Sequence, residues 1–291
     1  MEHPLVVGTD GSDSAFRALD WAADEAARHG LPLRVVYASR WERFEGEVPP
    51  DVGERPSEQV LAESVVASAA DVARRRQPDV QVSGEVLATD AVTALLNEGL
   101  HATALILGSR GRGEIAGLLM GSVSLAVSAR ARCPVIVVRG DVAGLAGTHG
   151  RVLLGVADPA GETAAVRFAF HEAAARQCTL EAVCAWPLPV RDATEAPLLA
   201  ADARRYHEKQ ASALLDEALD GVAGAYPAVR VRRVTVEGPA HKVLVHRTAA
   251  ADLLVTGAQH RQGHFGLQLG RVAHTALCHA TCPVAVVPQQ V

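Results

Sequence analysis

The sequence predicts two doubly wound α/β domains in tandem, each on a five-stranded parallel sheet. Three observations carry this expectation. The chain repeats itself: "LVVGTDGSDSA" at 5–15 returns as "VLLGVADPAGE" at 152–162, "TALILGS" at 103–109 as "ADLLVTGA" at 251–258, and "CPVIVV" at 133–138 as "CPVAVV" at 282–287. The offset is nearly constant, 147 residues at Gly8/Gly155 and 149 at Gly108/Gly257, so the repeat is one domain long. Within each copy short β-branched runs alternate with longer segments of helical periodicity, and the runs are almost wholly apolar, as they are where helices cover both faces of a parallel sheet.

In the first copy the expected strands are 4–9, 33–38, 80–87, 103–108 and 134–139. The first helix, 13–29, starts after Ser12 as N-cap and stops at Gly30; helices at 57–76, 90–101 and 122–131 follow from apolar residues at helical spacing. The order is β-α-β-α-β-α-β-α-β, twice. Between the copies "GDVAGLAGTHG", 140–150, holds four glycines among small residues and reads as a flexible linker. The expected domains are therefore 1–140 and 151–291, joined by 141–150. A chain of 291 residues suits two domains, each large enough for its own core.

Composition narrows the function classes. The net charge of -5 argues against a nucleic-acid partner held by a basic surface; Lys209 and Lys242 are the only lysines, so the basic residues are nearly all Arg. No run of 18 uncharged apolar residues offers a membrane span, and the start "MEHPLVVGTD" lacks the basic and long apolar regions of a signal peptide. A cytoplasmic protein is expected. The five cysteines, 133, 178, 184, 278 and 282, form an odd set without a disulfide-framework pattern, in keeping with a reducing compartment.

One stretch calls for a ligand. "LGSRGRGEIAGLLMGSVS", 107–124, places glycines at 108, 111, 113, 117 and 121 just after the fourth strand. In a doubly wound sheet ligands bind beyond the carboxyl ends of strands, where the strand order reverses. Glycines there let the backbone approach a ligand, and the N–H groups opening the next helix, with the Ser122 and Ser124 hydroxyls, favour an anion such as phosphate. Arg110 and Arg112 add cations. The plainer reading is a connection whose glycines relieve tight turns.

The spacing Gly108-x2-Gly111-x9-Gly121-Ser122, with Asp10 after the first strand and Cys133-Pro134-Val135 opening the last, resembles the ATP-binding subset of the universal stress protein family. The resemblance covers essentially the whole chain as two family domains. It implies adenine-nucleotide-binding, Rossmann-like domains, with ATP between the ends of strands one and four and Mg2+ as a companion ion. Carried over by position, it places Thr9 and Asp10 on the nucleoside side and the Ala38 backbone against adenine. Gly108, Arg110, Gly111, Gly121, Ser122, Val123 and Ser124 are then set around ribose and phosphates. For Asp10 an Asx turn that only shapes "TDGSDS" is the alternative. The resemblance also implies an intrachain pseudo-dimer through the last strands, 134–139 and 283–288, and leaves room for a homodimer.

The second copy departs from the pattern. Gly111 is replaced by His260, Gly113 by Gln262, Ser122 by Arg271 and Asp10 by Ala157, with Asp158 one residue later. A degenerate second site is expected, with ATP held mainly in the first domain. His274, Cys278 and Cys282 fall at i, i+4 and i+8, but Cys282 matches Cys133, which has no such His, so a buried strand start is preferred to a metal site. "ARRRQP", 73–78, reads as a solvated helix end, and the long connection 40–56 either as a lid or as a surface excursion.

Three classes of function fit. The first is a nucleotide-binding stress or regulatory protein. The second is an enzyme, either a slow ATPase or a nucleotidyl transferase; "DGSDSAF" offers no His at the first helix start, and the absence of Lys from the first domain excludes a Walker A loop. The third is a nucleotide-free interaction module. The first is preferred.

Overall fold

The apolar runs become parallel strands and the periodic segments become the helices that cover them. The structure, a computed structural model, describes residues 3–39, 57–111, 120–157, 164–186, 197–258 and 269–289. It divides into two units, Met1–Arg139 and Gly140–Val291. The first runs β1 (Leu5–Gly8), α1 (Asp13–His29), β2 (Leu33–Ala38), α2 (Ser57–Arg76), β3 (Val82–Leu87), α3 (Ala91–Glu98), β4 (Ala104–Gly108), α4 (Ser122–Arg130) and β5 (Val135–Val138). Its five strands are all parallel, in the order β3-β2-β1-β4-β5.

Local chemistry sets the element ends. The Ser12 hydroxyl accepts from Ala15 N at 3.2 Å and so caps α1; Gly30, at φ 65°, closes it with the left-handed turn that glycine adopts without strain. The helix turns Ala15, Ala18, Leu19, Ala22, Ala23 and Ala26 inward, and this narrow alanine face lets it lie close on the sheet. Helix α3 is shorter than the expected 90–101. Asp90 caps its start, and after Glu98 the chain turns at Gly99, which is pressed against Leu105 and Cys133. Strand β5 opens one residue late because Pro134 has no N–H to donate; its carbonyl accepts from Leu105 N at 2.9 Å. Strand β3 is preceded by a turn in which Val80 N bonds the Gln77 carbonyl at 3.2 Å.

The second unit runs α5 (Val142–Ala146), β6 (Arg151–Gly155), α6 (Ala164–Ala175), β7 (Thr179–Trp186), α7 (Pro197–Ala223), β8 (Val231–Glu237), α8 (Ala240–Arg247), β9 (Leu253–Ala258), α9 (Arg271–His279) and β10 (Val284–Pro288). Its parallel strands lie in the order β8-β7-β6-β9-β10. The stretch expected to be a flexible linker contains α5 and is tied to this unit. Asp141 Oδ1 caps α5 through Gly144 N at 2.8 Å, Asp141 N bonds the Thr281 carbonyl at 3.1 Å, and Gly140, at φ 115°, sits so close to that carbonyl that a Cβ would collide with it.

One pair of positions differs between the repeats in an informative way. In the first unit Arg34 of β2 grips Glu98, at the end of α3, through Nε at 2.7 Å and NH2 at 3.3 Å, with Glu85 2.5 Å from NH2. The corresponding positions of the second unit are Glu181 and Arg247, and they form the same bridge with the charges exchanged, at 2.5 Å. Glu181 is fully buried and also has Arg151 at 3.3 Å and Arg232 at 3.4 Å. Each charge therefore faces partners of the opposite sign, and either one alone would be left uncompensated.

Reversing one charge in the first unit is expected to cost about 2 kcal/mol. Arg34→Glu should show this loss in urea denaturation, and the double variant Arg34→Glu with Glu98→Arg should recover at least half of it. Equal stability of all three proteins would show that the bridge contributes nothing.

Candidate functional site

Strand β1 lies between β2 and β4, so the chain leaves β1 toward one side and β4 toward the other. The carboxyl ends of the two strands diverge into a crevice of about 520 Å³ in the first unit, within the size range of small-molecule sites. All ten residues singled out from the sequence line it: Thr9, Asp10 and Ala38 on one side, and Gly108, Arg110, Gly111 and the run Gly121–Ser124 on the other.

Each is placed by a backbone constraint. Beyond β1, Thr9 N still bonds the Val36 carbonyl at 2.9 Å. Thr9 Oγ1 then accepts from Gly11 N at 3.2 Å, and Gly11 turns with φ 76°. Asp10 Oδ1 accepts from Ser12 N at 3.0 Å, so the Asx turn is present and aims the carboxylate into the crevice mouth. Its Oδ2 lies where a Cβ on residue 111 would approach to 2.6 Å, which is why Gly111 can pass there. Gly108 is enclosed more severely, since a Cβ would come within 2.8 Å of the Ser14 backbone in the first turn of α1.

The hydroxyls divide their work. Ser14 Oγ accepts from Arg110 N at 3.2 Å, and Ser124 Oγ, buried, donates to the Gly108 carbonyl at 2.7 Å. The sequence reading aimed the Ser124 hydroxyl at an anion; its bond to Gly108 instead stitches α4 to the end of β4. Ser122 stays exposed at the first position of α4. Gly121, the N-cap, donates to the Ser109 carbonyl at 2.8 Å, and no side chain caps the first turn of α4. The crevice wall there presents backbone N–H groups and the positive end of a helix.

The opposite wall is apolar. Val36, Ala38, Ala94, Leu95, Leu107 and Met120 line it, and Ala38 alone was singled out from the sequence. The rest carry no polar signature, and only the topology that folds α3 over the sheet brings them to the crevice. Asp10 and Arg110 are the ionisable residues of the lining among the described residues. Arg112, Gly113, Glu114, Gly117 and the connection 40–56 lie outside the described residues.

The second unit has a related crevice of about 450 Å³. Gly257 and Gly270 occupy the places of Gly108 and Gly121, whereas Ala157 stands for Asp10, Arg271 for Ser122 and Ala273 for Ser124. Without the last hydroxyl the bond to the strand-end carbonyl is lost. Asp158, His260 and Gln262 lie outside the described residues. Cys282 is fully buried with its Sγ 3.4 Å from the Pro283 carbonyl, while His274 is exposed on α9. In the first unit burial pushes the Cys133 thiol up to about 11, so it stays protonated at neutral pH.

Comparison with known proteins decides the family. Its sequence profile, described as that of the Universal stress protein family, matches residues 1–139 and again 148–288. The chain belongs to the universal stress protein family. Two of its domains stand in tandem. Universal stress protein Rv2005c of Mycobacterium tuberculosis is 34% identical over 298 residues, 99% of this chain and 98% of the relative. Universal stress protein Rv1996 of the same organism is 31% identical over 307 residues, 98% of this chain and 95% of its own. A universal stress protein from Archaeoglobus fulgidus shares the fold, with a TM-score of 0.68 at 19% identity, covering 98% of each chain. No helix among the described residues is long and apolar enough to cross a membrane.

The two glycines at the ends of the loop should respond differently to a methyl group. Gly108→Ala is expected to destabilise the first unit by about 1–3 kcal/mol, because Ser14 must move. Gly121→Ala meets nothing closer than 3.6 Å and should cost less than about 1 kcal/mol. Urea denaturation of both variants checks the contrast.

Proposed function

We propose that the first domain binds an adenine nucleotide, ATP in the first instance, and that the protein acts as a nucleotide-dependent regulatory member of its family. One observation supports this most: a single crevice joins an apolar slot to an uncapped helix N-terminus, with one carboxylate at the mouth. An adenine ring fits the slot formed by Val36, Ala38, Leu95 and Met120. Asp10 accepts from sugar hydroxyls, and the N–H groups at the start of α4, with Arg110, receive phosphates. The protein requires a glycine at 108 for its own packing. At 121 it does not, and there the bare backbone suits a phosphate passing close by.

Mg2+ would accompany the phosphates and neutralise their charge. The described lining contains no His or Lys to move a proton, and its one carboxylate, Asp10, holds Ser12 N through Oδ1 and faces the sugar in this reading. The crevice is therefore suited to holding ATP rather than to turning it over quickly.

Titration calorimetry of the full chain is expected to give about one ATP per chain. Gly121→Leu should weaken ATP at least tenfold, about 1.4 kcal/mol, with little change in Tm. Unchanged affinity in that variant would remove the phosphate assignment, and absence of any ATP heat from the nucleotide-stripped protein would remove the proposal.

A further inference from the structure

Strand β3 ends the sheet of the first domain, and one of its sides is open. The Gln81 and Leu87 carbonyls accept from β2, from Leu33 N at 2.9 Å and Ser39 N at 3.0 Å, so by alternation Val82, Gly84 and Val86 turn their backbone groups outward. Arg74 NH2 donates to the Val82 carbonyl at 3.2 Å. The outward N–H and C=O groups of Gly84 and Val86 have no partner among the described residues. Such a row of unpaired groups is a template for another strand. Beside it, α2 and β3 border an open groove of about 540 Å³.

The second repeat guards the same edge. Arg233 of β8 stands where β3 has Gly84, and its guanidinium reaches over to α7, with Nε 3.0 Å from Asp216 and NH2 2.8 Å from Asp220. A two-fold pairing of β8 with its own copy at this point would set Arg233 against Arg233. Strand β3 carries no such bar. Val82, Gly84 and Val86 are uncharged, and a Cβ on Gly84 would lie 2.6 Å from Val66 Cγ1, so the packing of α2 holds this position to glycine. The charges beside the open edge fall into two halves. Helix α2 runs against β3: Arg74 reaches Val82, Val66 meets Gly84, and Glu63 lies about one turn further on, toward Val86. The other acids of the groove, Glu85 and Asp71, pair with Arg34 at 2.5 Å and with Arg74 at 2.9 Å.

We propose that the free edge of β3 receives a second copy of this chain, the two β3 strands pairing antiparallel about a two-fold axis at Gly84. That register sets Gly84 opposite Gly84 and Val82 opposite Val86, so the outward backbone groups of all three residues meet partners. Ser83 then faces Glu85, and no like charges are directly opposed. On the flanking helices Glu63 of each copy comes beside Arg74 of the other, with the small Ala67 and Ala70 between them, and every contact is made twice. An axis at Glu85 would bring the two Glu85 carboxylates together, and one at Ser83 would leave Val86 with no strand residue opposite. Strand β5 lies at the other edge of this sheet, so the interface is separate from a contact through the last strands and from the nucleotide crevice.

Sedimentation equilibrium of the full chain, from about 10 μM to about 1 mM, is expected to show a monomer–dimer equilibrium of micromolar or weaker strength, as suits a short interface. Ser83→Lys sets an ammonium against Glu85 at two symmetric places and should tighten the dimer about fivefold, whereas Ser83→Glu should weaken it by about as much. Arg74→Glu and Glu63→Arg should each weaken it about tenfold, and the double variant should regain most of the loss. Ser83 is exposed, so its two variants keep the fold and carry the test even where a charge exchange on α2 does not. Identical association of Ser83→Lys and Ser83→Glu, as expected for a dimer through any other surface, would overturn the proposal. So would a chain that stays monomeric at the highest concentration, or growth beyond a dimer, which would mean that β3 joins a different edge.

Discussion

The contact between Gly108 and Ser14 governs the geometry of the first domain's crevice. Because no side chain separates them, the end of β4 rests directly on the first turn of α1. The neighbouring bonds depend on that approach. Ser14 can reach Arg110 N, and the Gly108 carbonyl is placed where Ser124 can donate to it. The entry and exit of the glycine-rich loop are then tied to each other by Gly121 N and the Ser109 carbonyl. The anion-facing wall is thus fixed by main chain and two buried hydroxyls. Its attraction for negative charge comes from N–H groups and a helix dipole that no pH change switches off.

Two crevices built on one topology show which features belong to the fold and which to the ligand. Gly108 and Gly257, where strand meets loop, are retained in both, as are the apolar positions supplied by the second strand and third helix of each domain. The rim residues are the ones that change. Asp10, Ser122 and Ser124 give way to Ala157, Arg271 and Ala273 without loss of the cavity. Rim chemistry thus varies while the second-strand and third-helix positions stay apolar, although the fourth strand exchanges Leu107 for Thr256.

Much of this was legible in the sequence because the repeat fixes the domain length and glycine, proline and capping residues punctuate it. Ser12, Gly30 and the apolar runs place α1, β1 and β4 within a residue or two. Helix α3 was read too long because the chain beyond Glu98 tightens into i→i−3 turns, Leu100 N to the Asn97 carbonyl and His101 N to the Glu98 carbonyl, which keep the apolar spacing without continuing the α-helix. The helix in 140–150 was missed for another reason: glycines there signal flexibility until Thr281 is known to face them. The glycine motif drew attention to the polar rim of the crevice, since bare backbone and hydroxyls leave a mark on a sequence. Val36, Leu95 and Met120 leave none, because an apolar residue lining a crevice looks the same as one facing the core. The partner of the Ser124 hydroxyl likewise became known only when β4 and α4 were placed side by side.

The exchanged bridge, Arg34 with Glu98 in one repeat and Glu181 with Arg247 in the other, bears on how a chain with two similar halves reaches its native state. Tandem repeats risk trading strands while they fold, since β2 and β7 hold the same place in their sheets. A misplaced β2 would bring Arg34 among Arg151, Arg232 and Arg247; a misplaced β7 would set Glu181 against Glu85 and Glu98. Either exchange sets like charges against each other where the native strand meets opposite ones. The polarity of one salt bridge thus labels each half of the chain as its own, a mark that the near-identical apolar strands cannot carry.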